Sequence, residues 1–190
     1  MLLDISKKLV RLKVVYYGPA QSGKTTNLER LANMEGLSIM KIDTHGEKTL
    51  VFDFVTKKVD MGSIEVSFAL YTIPGQDIYR DIRLTVMRGV DGIVFVADAQ
   101  RERLEENVEF FKLLKEDLKK VGKSYENLPL VLQYNKMDLP NALEFETLEK
   151  ELNLEGITSV PAIAIKGEGV LETFNLLTSK MLSKIRQMVG

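Results

Sequence analysis

The chain contains no cysteine. Disulfides, thiolate metal centres and prenyl or palmitoyl anchors are therefore excluded, and a reducing compartment fits. The second residue is Leu2, which excludes N-myristoylation as well. No apolar run approaches the ~18 residues that span a bilayer. The opening stretch Met1-Leu2-Leu3-Asp4-Ile5-Ser6-Lys7-Lys8 has neither a long apolar core nor a signal cleavage site. These absences predict a cytoplasmic protein without a lipid anchor. The formal net charge is −1, so no field favours nucleic acid as a partner. The single histidine, His45, lies in a polar stretch and reads as a solvated loop residue. Internal repeats and low-complexity segments are absent too, and 190 residues suit one domain with one core.

What is present is a regular alternation of apolar runs and helical patterns. Candidate strands are Lys13–Tyr17, Leu50–Val55, Ile64–Thr72, Gly92–Ala97, Leu130–Tyr134 and Val160–Ile165. Candidate helices are Lys24–Met34, Tyr79–Met87, Arg101–Val121, Glu144–Leu152 and Gly169–Met188. Gly92–Ala97 is apolar throughout, as a parallel strand buried on both faces requires. The helix after it carries one stripe at Leu104, Val108, Phe111, Leu114, Leu118 and Val121, and the last helix repeats this at Val170, Phe174, Leu177, Met181 and Ile185. The short polar turn Thr56–Ser63 predicts an antiparallel hairpin between its flanking strands. The expected architecture is a three-layer α/β fold: a six-stranded, mostly parallel sheet with one antiparallel edge strand.

The most specific signal is Gly18-Pro19-Ala20-Gln21-Ser22-Gly23-Lys24-Thr25, which fits G-x-x-x-x-G-K-[ST] between a predicted strand and a predicted helix. Glycines at 18 and 23 admit positive φ and let the backbone approach a ligand. Successive N–H groups then form an anion-binding concavity at the positive end of the helix. Lys24 can reach the β- and γ-phosphates, and Thr25 can offer its hydroxyl to Mg²⁺. Gly18, Gln21, Ser22, Gly23, Lys24, Thr25 and Thr26 are thus candidate nucleotide-binding residues.

Asn135-Lys136-Met137-Asp138 follows the strand Leu130–Tyr134. The Asp138 carboxylate can accept from both N1–H and the exocyclic amine of guanine, whereas adenine would leave it unpaired, so the motif selects GTP over ATP. The stem of Lys136 can lie over the purine, and Asn135 can tie this loop to the phosphate loop. An ATP-using kinase on the same phosphate loop would lack such an aspartate. Pro74-Gly75-Gln76 follows the strand Ile64–Thr72. Gly75 can present its N–H to the γ-phosphate, and Gln76 can orient the attacking water.

With these three loops the chain resembles a Ras-like small GTPase from about residue 10 to residue 187. More narrowly it resembles the bacterial MglA-type GTPases of gliding motility and cell polarity. The narrower likeness is carried by Val15–Pro19, Gly23–Leu28, Thr49–Phe54, Leu70–Gln76, Gly89–Asp98 and Asn135–Pro140. The resemblance implies a GTP/GDP switch that hydrolyses GTP with Mg²⁺, slowly without an activating partner. It implies a single G domain over 1–190, monomeric alone. The expected partners are a dimeric roadblock-type (MglB-like) activator and polarity or motility effectors. Thr49 corresponds to the threonine that meets Mg²⁺ in the GTP state. Thr72 stands where most small GTPases carry aspartate and the MglA type carries threonine, so metal charge there falls to Asp53 or water. Lys48 stands where the MglA type carries an internal finger arginine. Lysine keeps the charge and loses the planar fork, so Arg80, Arg83 and Arg88 enter as substitutes, against their plainer reading as solvated surface residues. The guanine-closing motif falls on Ile163-Ala164-Ile165, with a backbone N–H from Ala164 or Ile165 meeting guanine O6. A catalytically weak pseudo-GTPase serving as a nucleotide-dependent scaffold is the alternative.

Overall fold

The computed structural model describes residues 2–4, 8–42, 52–60, 65–73, 80–153 and 155–189. The strands are β1 (Leu2–Asp4), β2 (Leu9–Tyr17), β3 (Met40–Ile42), β4 (Phe52–Asp60), β5 (Glu65–Thr72), β6 (Gly92–Asp98), β7 (Leu130–Asn135) and β8 (Ser159–Ala162). The helices are α1 (Lys24–Glu35), α2 (Arg80–Met87), α3 (Leu104–Lys120), α4 (Phe145–Leu152) and α5 (Val170–Val189).

The sheet runs β3-β4-β5-β2-β6-β7-β8, with β1 paired to β2 off this path. Five strands, β5, β2, β6, β7 and β8, are mutually parallel. The sequence expectation of six strands with an antiparallel edge is therefore corrected. β4 does run antiparallel to β5, but β3 pairs with its other side over Phe52–Phe54, so β4 is not the last strand of the order. β1 and β3 are three residues each, too short to show any alternation. Val160–Ile165 is also shortened: β8 ends at Ala162, and Ala164–Lys166 winds into a 3₁₀ turn closed by Gly167.

Period-two alternation along the parallel strands divides the core into two layers. Val14, Tyr16, Val94, Val96 and Val131 face Leu28 and Leu31 of α1 and Phe174, Leu177 and Met181 of α5. Val15, Tyr17, Ile93, Phe95, Leu132 and Tyr134 face Met87 of α2, Phe110, Phe111 and Leu114 of α3, and Leu148 of α4. The apolar stripe of α5 is buried at all five predicted positions. Because the five strands are parallel, Tyr17, Thr72, Asp98, Asn135 and Ala162 end together on one rim, and the loops that follow them converge there.

Within the first layer Tyr16 is fully buried, and its hydroxyl has no hydrogen-bond partner among the described residues. Burial raises its pKa above the ordinary tyrosine value. A buried hydroxyl without a partner costs on the order of 1–3 kcal/mol in desolvation. Tyr16→Phe is thus expected to raise unfolding stability by about 1 kcal/mol in urea titration. A loss of similar size would reveal a partner that the hydroxyl needs.

Candidate functional site

The phosphate loop is built by what two residues lack. Gly18 has φ 146°, and a Cβ there would lie 2.2 Å from the Val96 carbonyl oxygen. Gly23 has φ 102°, and its Cβ would lie 2.1 Å from Asn135 Nδ2. Gln21 occupies the left-handed region as well, at φ 62°. These turns wrap the chain around the start of α1, whose N-cap is Gly23 and carries no side-chain cap. The first-turn N–H groups therefore have no side-chain oxygen in front of them. Lys24 folds back so that Nζ donates to the carbonyls of Gly18 (2.8 Å) and Pro19 (2.5 Å). Burial pulls its ammonium down to about 7. Ser22 is buried and its Oγ is unpartnered among the described residues, whereas the Thr25 side chain is exposed and Thr26 is half-buried.

Asn135, the last residue of β7, binds two loops at once. Nδ2 donates to the Ser22 carbonyl at 2.8 Å, and Oδ1 accepts the Ala164 N–H at 2.8 Å. Lys136 is left-handed at φ 68°, with Nζ 2.5 Å from the buried Asp98 carboxylate. Asp138 is partly exposed and lies 3.5 Å from Lys166 Nζ. The structure thus brings together the phosphate loop, the Asn135–Asp138 loop and the turn after β8. Within that turn the Ala164 N–H is taken by Asn135, Ala164 is buried, and Ile165 is 66% exposed.

Gln76, Gly75, Lys48 and Thr49 lie outside the described residues. Thr72 ends β5, buried, opposite Tyr16. The arginines proposed to replace a finger separate sharply. Arg83 is neither a surface residue nor a finger: it is 1% exposed, with Nε 3.1 Å from Asp117 Oδ2. Tyr17, the residue before Gly18, donates its hydroxyl to the same oxygen at 2.8 Å. Arg88 ends up at the opposite rim, where its carbonyl accepts from Lys13 Nζ. Of Arg80 only the backbone, at the start of α2, is described. A different arginine, Arg103, reaches the phosphate loop: Nη2 donates to the Ala20 carbonyl at 2.7 Å. In the sequence it falls within a helical pattern, and no spacing marks it.

Among the described residues no three His, Cys, Asp or Glu side chains group to hold a metal. Mg²⁺ does not need such a group when phosphates supply most of its ligands, since one or two protein oxygens and water complete the shell. The exposed hydroxyl of Thr25 in the first turn of α1 fits that donor set. Among the described residues no helix is long and apolar enough to cross a membrane.

The profile of the ADP-ribosylation factor family matches residues 2–181. The chain belongs to this family and is a Ras-like small GTPase. It is 37% identical over 190 residues to the mutual gliding-motility protein MglA of Myxococcus xanthus (strain DK1622), covering 97% of each chain, which places it with the MglA type. It is 31% identical over 187 residues to human ADP-ribosylation factor-like protein 4C, covering 93% of this chain and 90% of that one. It is 32% identical over 186 residues to human ADP-ribosylation factor-like protein 4A, covering 93% and 86%.

The Arg83–Asp117 pair yields a test. Removing one partner of a buried pair leaves an uncompensated charge and costs about 3–5 kcal/mol. Asp117→Ala should lower unfolding stability in urea by about that much, and a loss under about 1 kcal/mol would mean the pair is not desolvated in solution.

Proposed function

We propose that the chain is one G domain, a switch that binds GTP and GDP, hydrolyses GTP, and controls cell polarity or gliding or twitching motility in a bacterium. The observation that carries this reading is the double hydrogen bond of Asn135, which joins the phosphate-binding and base-reading loops into one site. The motility role is supported by likeness to MglA across 97% of the chain. The scaffold alternative gains no support from this family membership.

In this mechanism the N–H groups of residues 20–25, at the start of α1, hold the phosphates. Lys24, lowered to about 7 by burial, is kept charged by the phosphate oxygens beside it, and the N–H donors of its ammonium bridge β to γ. Asp138 accepts from guanine N1–H and the exocyclic amine. Lys136 and Lys166 flank the purine, and the N–H of Ile165, next after the engaged Ala164, meets O6. Thr25, with Thr49 and Thr72, would hold Mg²⁺, which supplies neutralising charge to the phosphate oxygens. Gly75 donates to the γ-phosphate, and Gln76 orients water for in-line attack. Lys48 contributes a single cationic donor rather than a fork. Hydrolysis without a partner is then slow, and a dimeric roadblock-type (MglB-like) activator completes the site. The protein works as a monomer in the cytoplasm until its effectors or activator bind.

Single-turnover hydrolysis with Mg²⁺ and no partner should run near the ~10⁻⁴ s⁻¹ of a small GTPase without a finger. Gln76→Leu should abolish it. A rate near ~10⁻² s⁻¹ would mean that a cis cation already completes the site. Asp138→Asn exchanges an acceptor for a donor where guanine presents its amine, while xanthine presents a carbonyl. That variant should lose GTP affinity by roughly a thousandfold and gain xanthosine triphosphate binding. Unaltered GTP affinity would refute the base-reading role.

A further inference from the structure

We propose that Arg103 is a positioning residue for nucleotide retention, pinning the crest of the phosphate loop from outside and linking it through Asp98 to Lys136. The proposal rests on the guanine-nucleotide reading above and adds a second tie between the two loops, independent of Asn135.

Arg103 closes the 3₁₀ turn Arg101–Arg103 that leads into α3. That turn is anchored, since the Arg101 N–H donates to the Asn141 carbonyl and the Arg103 N–H to that of Gln100. From there Nη2 donates to the Ala20 carbonyl at 2.7 Å and meets Glu106 Oε2 at 2.6 Å. Nε lies 3.9 Å from Asp98 Oδ2, the same oxygen that Lys136 Nζ reaches at 2.5 Å. Asp98 is 1% exposed, and its Oδ1 is fixed by the backbone and side-chain N–H groups of Gln100. One held carboxylate therefore serves two cations, Arg103 from the turn before α3 and Lys136 from the loop after β7.

The geometry of a trans peptide gives the contact its effect. The carbonyl of Ala20 and the N–H of Gln21 belong to one plane and point opposite ways. Drawing that carbonyl out towards Arg103 turns the Gln21 N–H to the other side, into the concavity that receives phosphate. Gln21 is held in the left-handed region, which a glutamine does not favour alone. A guanidinium bond to the carbonyl just before it offsets that cost. The ion pair with Glu106 is partly exposed and contributes little by itself. Its service is to aim the guanidinium.

Release of mant-GDP from the full chain tests this. Arg103→Ala should release nucleotide about tenfold faster, the loss of one charge-assisted hydrogen bond, with the melting temperature of the protein unmoved. Arg103→Lys should recover part of the effect, because one donor still reaches Ala20. Glu106→Gln leaves the turn intact and should speed release in the same direction by a smaller factor. In a cycle with Lys136→Met the combined effect should fall short of additive, since both cations share Asp98. Release from Arg103→Ala within about twofold of wild type would overturn the proposal. So would strict additivity with Lys136→Met, or fast release that Arg103→Lys does not recover and that a lowered melting temperature accompanies. If the wild-type chain itself fails to hold mant-GDP, the guanine-nucleotide reading falls and the proposal with it. If wild type holds it and the variants match it, only the role of Arg103 is refuted.

Discussion

Three loops from three different strands meet at one primary amide, and the geometry of the rim depends on it. Asn135 Nδ2 satisfies the carbonyl of Ser22, and Oδ1 satisfies the N–H of Ala164. Neither aspartate nor leucine could take its place: one has no donor, the other neither donor nor acceptor. The approach is so close that Gly23 can carry no Cβ. The amide therefore constrains the sequence in two places, its own and the glycine before Lys24. The parallel register brings Asn135 level with both Asp98 and Ala162, which makes the bridge reachable at all.

The sequence was most informative where a residue type has a single physical use. Glycines at 18 and 23 and a lysine at 24 leave few alternatives, and Gly92–Ala97 states its own burial. The stripe of α5 was legible for the same reason, since five apolar residues at helical spacing have one face to occupy. Local pattern was silent where partners are remote in the chain. β1 and β3 are too short to be periodic, and they exist because longer neighbours supply their hydrogen bonds. Charged residues misled in the same way. Arg83 and Asp117 sit among surface-like neighbours in the sequence, yet both are buried because each is the other's solvent. Arg103 carries no mark at all, for its partner Ala20 is 83 positions away.

The buried pair also sets how far any motion can travel. Arg83 lies in the first turn of α2, Asp117 in the last turn of α3, and Tyr17 directly ahead of the phosphate loop. Breaking such a pair costs about 3–5 kcal/mol, more than most single contacts return. The pair therefore resists any motion that would part the first turn of α2 from the last turn of α3.

The borders of the sheet have a consequence for association with other chains. Along the described strand order, one border is the three-residue β3 and the other the four-residue β8, which includes Pro161 and so lacks one N–H. The ladder with β3 covers only Phe52–Phe54 of the nine-residue β4, and among the described residues no strand pairs with the outer side of Val55–Asp60. A second polypeptide that extended the sheet would meet only three or four residues at β3 or β8, so the one longer row of main-chain groups among the described strands is the far half of β4.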